Sequence, residues 1–352
     1  MKIGLVRRGY SPSGGAERYL LRFADALRQA GHGAVLFASR QWPEWDGELV
    51  RVAGDAPIQF ADALRDSKPR EHCDLLFSLE RVWECDAYRA GDGVHQAWLE
   101  RRRAFEPGWK GWFRATRGKH REILDLEQSL FDGGARRIVT NSKMVAGEIS
   151  RYYRTPPDRI RTVYNGLPAR APTNRRSEKR AELGLKDGEC AVLFAGSGWD
   201  RKGLRFAIEG VDRAGECTLL VAGAGRRAGL PSSTRTRFLG EAKEMPALME
   251  AADIFLLPTI YDPFSNASLE AMAAGLPVIT TAANGFAEIM RPDQDGEVLR
   301  SPGDVEGIAA AIAKWTARET PASREARRSE AAKYSIERNV SETLEAILSP
   351  AD

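Results

Sequence analysis

Short apolar runs alternate along the chain with longer segments in which apolar residues recur every three or four positions. KIGLV (2–6) reads as a buried strand, and GAERYLLRFADALRQAGH (15–32) as an amphipathic helix that stops near Gly31. GAVLFAS (33–39), DLLFSL (74–79) and RRIVTNS (136–142) are further strands, MVAGEISRYY is a short helix, and IRTVYNG (160–166) is a strand closed by the turn pair Asn165-Gly166. A polar stretch with two prolines and several arginines, 168–177, reads as a linker. The alternation then restarts. CAVLFAG (190–196), CTLLVAG (217–223), TRFLG (236–240), DIFLLPT (253–259) and PVITT (277–281) read as strands between RSEKRAELGL, LRFAIEGVDRAG, MPALMEAA and ASLEAMAAG as helices. The remainder is expected to be helical to the C-terminus.

Two successive runs of strand–helix units imply an α/β chain with two parallel sheets covered by helices, that is, two Rossmann-like domains facing a cleft. The expected domains are 1–167 and 168–335, followed by a C-terminal helix over 336–352. Ligands of such sheets bind at the carboxyl ends of the strands, and the cleft between two such domains is the default site.

Composition narrows the picture. The 352 residues are 43% hydrophobic and 29% charged, which suits two globular domains and excludes disorder, collagen and coiled coil. The net charge of +3 is too small to imply nucleic-acid binding. Cys73, Cys85, Cys190 and Cys217 form no CxxC pair, and the four histidines are too few for a zinc site; the usage fits a reducing compartment. The start is too short in apolar residues for a signal peptide, and no run approaches 18 apolar residues. A cytoplasmic protein that touches a membrane surface is expected.

Three connections carry candidate chemistry. In RRGYSPSGGAERY, Gly14 and Gly15 precede a helix, where bare backbone amides can approach an anion; the plain alternative is a flexible loop. In GSGWDRKG, Gly196 follows a strand and Arg201 and Lys202 precede a helix; adjacent cations on a glycine-flanked loop suit a diphosphate, against the alternative of two solvated charges. In YDPFSNASLEAMAAGLPVITT, Asp262 and Glu270 bracket a helix start. With the helix beginning near Asn266, Glu270 lies one turn inside it, where a carboxylate can accept from hydroxyls. The alternative makes Asp262 the helix cap and Glu270 a surface charge.

The DPFSNASLEAMAAGLPVITT segment resembles the signature of family 4 glycosyltransferases. Gly14-Gly15, Asn165-Gly166, the Arg201-Lys202 pair and the FLG strand at 238–240 match the same family in order and spacing over nearly the whole chain. GSGWDRKGLRFAIEG and DAYRAGDGVH resemble in particular the lipopolysaccharide-core glucosyltransferases of the WaaG type. The resemblance implies the GT-B fold, a C-terminal helix crossing back to the N-terminal domain, and retaining transfer of a hexose from a nucleotide-diphosphate sugar. That donor is UDP-glucose or a close relative, used without a metal or other cofactor. It implies that Arg201 and Lys202 bind the diphosphate and that Glu270 holds the ribose. Phe264, Ser265, Asn266 and Ala267 offer backbone amides to the sugar and phosphate, and backbone near Leu239 meets the base. Asp262 stands where the family has glutamate and would touch the donor sugar from one methylene further back. Asp92 or His95 would face the donor sugar, the two remaining alternatives.

One further segment stands out. Residues 98–122 hold eight Lys/Arg against three Glu, and three of the eight tryptophans. Trp98, Arg101, Arg102, Arg103, Trp109, Lys110 and Trp112 suit an anionic membrane interface; the alternative is a solvated helix pair with tryptophans packed inward. The family resemblance favours the membrane reading, at the inner face of the cytoplasmic membrane, because it implies a lipid-linked lipopolysaccharide-core or other glycan acceptor bound by the N-terminal domain, and no nucleic-acid motif accompanies the segment. Three rivals remain: a nucleotide-sugar epimerase, an inactive sugar-nucleotide-binding module, and an oxidoreductase suggested by GAGRRA (223–228). The last is disfavoured because Pro231 leaves no room for a following helix.

Overall fold

A computed structural model describes residues 1–11, 15–106 and 118–349. The chain divides into two compact units. The first comprises Met1–Asn165 with Ile336–Asp352, and the second Gly166–Ser335.

The first unit runs β1 (Lys2–Arg7), α1 (Gly15–Gln29), β2 (Gly33–Ala38), β3 (Glu48–Arg51), α2 (Pro57–Asp66), β4 (Leu75–Ser78), β5 (Cys85–Ala90), α3 (His95–Arg103), α4 (Gly118–Ser129), β6 (Ala135–Thr140), α5 (Lys143–Tyr153) and β7 (Ile160–Thr162). The strands form one parallel sheet in the order β3-β2-β1-β4-β5-β6-β7. The second unit runs α6 (Arg176–Glu182), β8 (Cys190–Ala195), the single turn α7 (Trp199–Lys202), α8 (Leu204–Ala214), β9 (Cys217–Ala222), β10 (Thr236–Gly240), α9 (Met245–Ala251), β11 (Ile254–Leu257), α10 (Asn266–Ala273), β12 (Val278–Thr281), β13 (Gly296–Leu299), α11 (Val305–Arg318) and α12 (Pro321–Ala331). Its parallel sheet has the order β10-β9-β8-β11-β12-β13.

Both sheets are covered on two faces, so their central strands are apolar throughout rather than alternating. Every residue of β8 and β9 is buried. Both sheets also reverse direction beside their first strand, between β1 and β4 and between β8 and β11. Loops leaving such a pair diverge to opposite faces and open a crevice at the carboxyl ends. The last helix, α13 (Ile336–Leu348), packs in the first unit: Val340 and Ile347 join the core that holds Leu5, Phe23 and Val139, and Arg137 Nη1 donates to Ile347 O at 2.7 Å.

Three expectations are corrected. The tail after PVITT is not all helix, because β13 intervenes and pairs with β12; at four residues, on the sheet edge and with Glu297 in it, it carries little apolar signal. β3 is likewise a half-exposed edge segment with little apolar signal, whereas α2 buries Pro57, Phe60, Ala61 and Leu64 at helical spacing, an element absent from the expected order. The stretch 168–177, expected as a linker, is bonded into the second unit. Thr173 donates to Glu250 from its hydroxyl at 2.7 Å, and Arg176 Nη1 donates to Glu250 O at 2.6 Å.

Candidate functional site

The crevice of the second unit is built around Gly196, where β8 ends. Its φ of 138° is one that side chains rarely adopt, and a Cβ there would lie 2.7 Å from Lys202 Cε. The bare glycine lets the Lys202 stem pass across the strand end. Gly223, at the end of β9, has to be bare for a similar reason: a Cβ would meet Gly196 O at 2.4 Å. Trp199 is buried beside Gly196, its indole donating to Gly196 O at 3.1 Å and its ring 5.4 Å from Phe238 of β10. Arg201 and Lys202 therefore end a one-turn helix whose far side is locked in the core.

Asp262, just beyond β11, holds both cations. Its Oδ2 lies 3.1 Å from Lys202 Nζ and 3.4 Å from Arg201 Nη1, and Arg201 Nη1 also donates to Tyr261 O at 2.7 Å. Asp262 is buried. Burial alone would raise its pKa, but the attraction of Lys202 and Arg201 outweighs it and holds the carboxyl below its ordinary value. The carboxylate is thus ionised. Its backbone is fixed from both sides, accepting from Gly285 N and donating to Ala283 O, each at 2.9 Å.

The next turn starts α10 at Asn266. Ser265, not Asp262, is its N-cap, with Oγ accepting from Ser268 N at 3.2 Å. Phe264 is buried against Phe286, Asn266 is exposed, and Ala267 and Glu270 are half-buried, Glu270 one turn into the helix. Asn284 braces the turn. Its Oδ1 accepts from Ser265 N at 3.2 Å and Phe286 N at 3.1 Å, while its Nδ2 donates to Thr280 Oγ1 at 3.0 Å. Leu239 is half-buried in β10, the edge strand of this sheet. No helix follows GAGRRA at 223–228 before β10 begins, so the βα unit required by the oxidoreductase reading is missing.

The crevice of the first unit holds a larger charged network. Arg7, at the end of β1, meets Glu17 at 3.2 Å, Glu80 at 3.6 Å and Asp92 at 3.9 Å. Arg81 meets Asp92 at 3.7 Å and the fully buried Glu127 at 2.8 Å. Glu127 accepts from His95 N at 2.8 Å and Tyr153 Oη at 2.8 Å, so it fixes the start of α3, where no side chain of α3 itself caps the helix. His95 Nε2 lies 2.9 Å from His120 Nδ1. Burial, then the charge of Arg81 and the neighbouring His120, push the His95 pKa down to about 4, so the ring is neutral near pH 7. The structure thus brings Asp92 and His95 to one network through Arg81 and Glu127. The sequence reading found neither of these two residues, nor His120.

Gly15 begins α1, and Gly14 lies outside the described residues. Asn165 closes the first unit, with Oδ1 accepting from Arg89 Nη2 at 2.7 Å. In α3, Arg102 stacks over Trp98 at 5.3 Å and pairs with Glu106, Arg101 pairs with Glu148 at 2.8 Å, and Arg103 is exposed. Trp109, Lys110 and Trp112 lie outside the described residues.

The family described as Glycosyl transferases group 1 matches residues 189–318. The chain is 31% identical over 362 aligned positions to the glycogen synthase of Mycobacterium tuberculosis, an alignment that covers 89% of this chain and 85% of that one. The chain is a group 1 glycosyltransferase. It is also 25% identical to the lipopolysaccharide glucosyltransferase WaaG of Escherichia coli over 87% of both chains. Among solved structures, WaaG superposes with a TM-score of 0.79 at 21% identity over 99% of this chain and 100% of its own. Anabaena HepE, solved with UDP and glucose, gives 0.72 at 18% identity over 99% and 100%. The fold of this glycosyltransferase is therefore of the GT-B type, with two parallel-stranded α/β sheets. No helix of the described residues is long and apolar enough to cross a membrane.

Proposed function

We propose that the enzyme moves a hexose, glucose or a close relative, from a UDP-sugar to a lipopolysaccharide-core or related glycolipid acceptor, with retention at the anomeric carbon. The observation that carries the donor half is the Arg201–Lys202 pair, held by buried Asp262 at the switch point of the second sheet. A diphosphate needs positive charge that is already oriented, because cations fixed before the reaction lose little on meeting the developing charge. In this reading Arg201 and Lys202 take the diphosphate as it leaves, and no metal ion is invoked because the two side chains supply the charge. Glu270 holds the ribose hydroxyls, the amides at 264–267 meet sugar and phosphate, Gly196 keeps the loop open, and the backbone at Leu239 meets the base. Asp262 uses Oδ2 for the cations, which leaves Oδ1 for the donor sugar.

The first unit takes the acceptor, and Gly14, Gly15 and Asn165 contribute to donor binding. In this reading His95, neutral near pH 7, or Asp92 faces the donor sugar, where a neutral imidazole orients a hydroxyl or a carboxylate favours an oxocarbenium-like centre. The similarity to WaaG and to HepE, solved with UDP and glucose, supports this donor and acceptor class. In this reading Trp98, Arg101, Arg102, Arg103, Trp109, Lys110 and Trp112 contact anionic lipid at the inner face of the cytoplasmic membrane, and the composition of the segment supports it.

The test is incubation with UDP-glucose and a deacylated core oligosaccharide, with the product linkage read by proton NMR. An α-linked glucosyl product is expected. Turnover of every nucleotide sugar except UDP-hexoses, or a β-linked product, would overturn the reading.

A further inference from the structure

Two arginines among the described residues are buried below a tenth of their surface, Arg89 and Arg327, and they are accommodated in different ways. Arg327 pairs with Glu319, and its Nε and Nη1 donate to Gly275 O at 2.8 Å and Gln294 O at 3.1 Å. Arg89, 7% exposed, has one hydrogen bond, from Nη2 to Asn165 Oδ1 at 2.7 Å, and its guanidinium carbon stands 3.8 Å from the centre of the Tyr19 ring. Its Nη1 is buried without a hydrogen-bond partner, and no ion pair joins it to a described carboxylate. A cation taken out of water without a counter-charge is strongly disfavoured, and an unsatisfied buried group in a native structure calls for a specific explanation, a bound ion among them.

The surroundings point to the ligand. Arg89 is the penultimate residue of β5, at the carboxyl end of the sheet, in register with Val139 of β6. Its cover is thin: Tyr19, Gly91 and Asn165 are each half-buried. Two more buried polar atoms without partners lie in the same part of the unit. Asn141 donates from Nδ2 to Gly91 O at 3.1 Å, and Asn339 of α13 donates from Nδ2 to Tyr164 O at 2.6 Å, so in both amides the oxygen is the atom left over. Turning either amide would set its oxygen against a carbonyl, so the oxygens remain acceptors. One unpaired donor on a cation and two unpaired acceptors match a molecule that carries both an acidic group and hydroxyls.

We propose that Arg89, with Asn141 and Asn339, forms a subsite in the first unit for the phosphate or carboxylate of an acidic acceptor sugar. Acid oxygens accept from Arg89 Nη1, and sugar hydroxyls donate to the two amide oxygens. The acceptor role rests on the reading of the first unit given above; the anion site does not.

The full chain carrying Arg201→Ala and Lys202→Ala, which removes the cation pair of the second unit, is titrated by calorimetry with glucose 6-phosphate, glucuronate and glucose. Glucose 6-phosphate or glucuronate is expected to bind more tightly than glucose, and whichever of the two binds more tightly identifies the acid group. Adding Arg89→Met is expected to weaken the acidic sugar about tenfold or more, the loss of one charged hydrogen bond, while leaving Tm unchanged or higher in anion-free buffer. Arg89→Lys keeps the charge and serves if the methionine variant does not fold; an intermediate affinity is expected. Equal binding of acidic and neutral sugars, or an Arg89→Met variant that loses Tm and binds the acids unchanged, would overturn the subsite. If Arg89→Met loses the acids but the unmodified enzyme glucosylates phosphorylated and unphosphorylated acceptors equally, the acceptor assignment fails and the anion site stands.

Discussion

The two sheets reverse strand order at equivalent points, yet their crevices are built differently. In the second unit, two neighbouring cations share one buried carboxylate, and glycines at 196 and 223 keep the strand ends bare beside them. In the first unit, Arg7 and Arg81 are enclosed by Glu17, Glu80, Asp92 and Glu127, and side chains fill the strand ends. Two cations against one carboxylate leave net positive charge for an anionic ligand. Two arginines among four carboxylates leave none, and the first network instead fixes backbone, chiefly the start of α3. The comparison separates a cation pair set to receive charge from an Arg7–Arg81 network whose positive charge is neutralised within the protein.

The largest effect expected is on stability. Glu127→Ala leaves Arg81 with only the exposed Asp92 as counter-charge among the described residues and frees the start of α3, and breaking a buried pair in this way costs about 3–5 kcal/mol. Thermal or urea unfolding should show that loss, while UDP affinity stays at the wild-type value. A fully stable Glu127→Ala protein would remove the structural role given to the first network. Glu270→Ala should weaken UDP and UDP-glucose alike by about 1.5–3 kcal/mol, the range for a hydrogen bond to a charged group; an effect on UDP-glucose alone would assign Glu270 to the sugar instead.

His95 sharpens the comparison through pH. Its folded pKa of about 4 lies below the ordinary 6.5, so between those values the unfolded chain binds a proton that the folded chain does not. The stability His95 contributes is complete above about pH 6.5 and falls as pH drops towards about 4. His95→Gln should flatten that part of the stability–pH curve, and an unchanged curve would show that the ring is not held neutral. The smallest effect concerns Arg103. As one exposed cation it is worth about 1 kcal/mol of attraction to anionic lipid, screened by salt. Co-sedimentation of Arg103→Ser with anionic vesicles should fall severalfold at low salt and match wild type at high salt.

The difference between the crevices also explains what could be read from the sequence. The second site lies in two contiguous stretches, 196–202 and 262–270, and each carries its own signal: glycines after an apolar strand, adjacent cations, a carboxylate before a helix start. The first network draws on Arg7, Glu17, Arg81, Glu127 and His120, ordinary surface residue types separated by up to 120 positions, from residue 7 to residue 127. The parallel pairing of β1, β4 and β5, with α1 and α4 packed beside it, brings them together. Asn284 escaped notice for the same reason, since it braces Ser265 from the far side of β12. The order of apolar runs made both sheets legible, but β3 and β13 lie at sheet edges, where half-exposed strands need little apolar sequence.

The central claim is that the second unit receives the donor diphosphate on Arg201 and Lys202. Calorimetry of UDP binding to the wild-type chain and to the Arg201→Ala, Lys202→Ala double variant tests it most directly, with circular dichroism to establish that the variant is folded. Two charged hydrogen bonds at about 1.5–3 kcal/mol each predict a loss of affinity of about a hundredfold or more. A folded double variant that binds UDP as tightly as wild type would contradict the account.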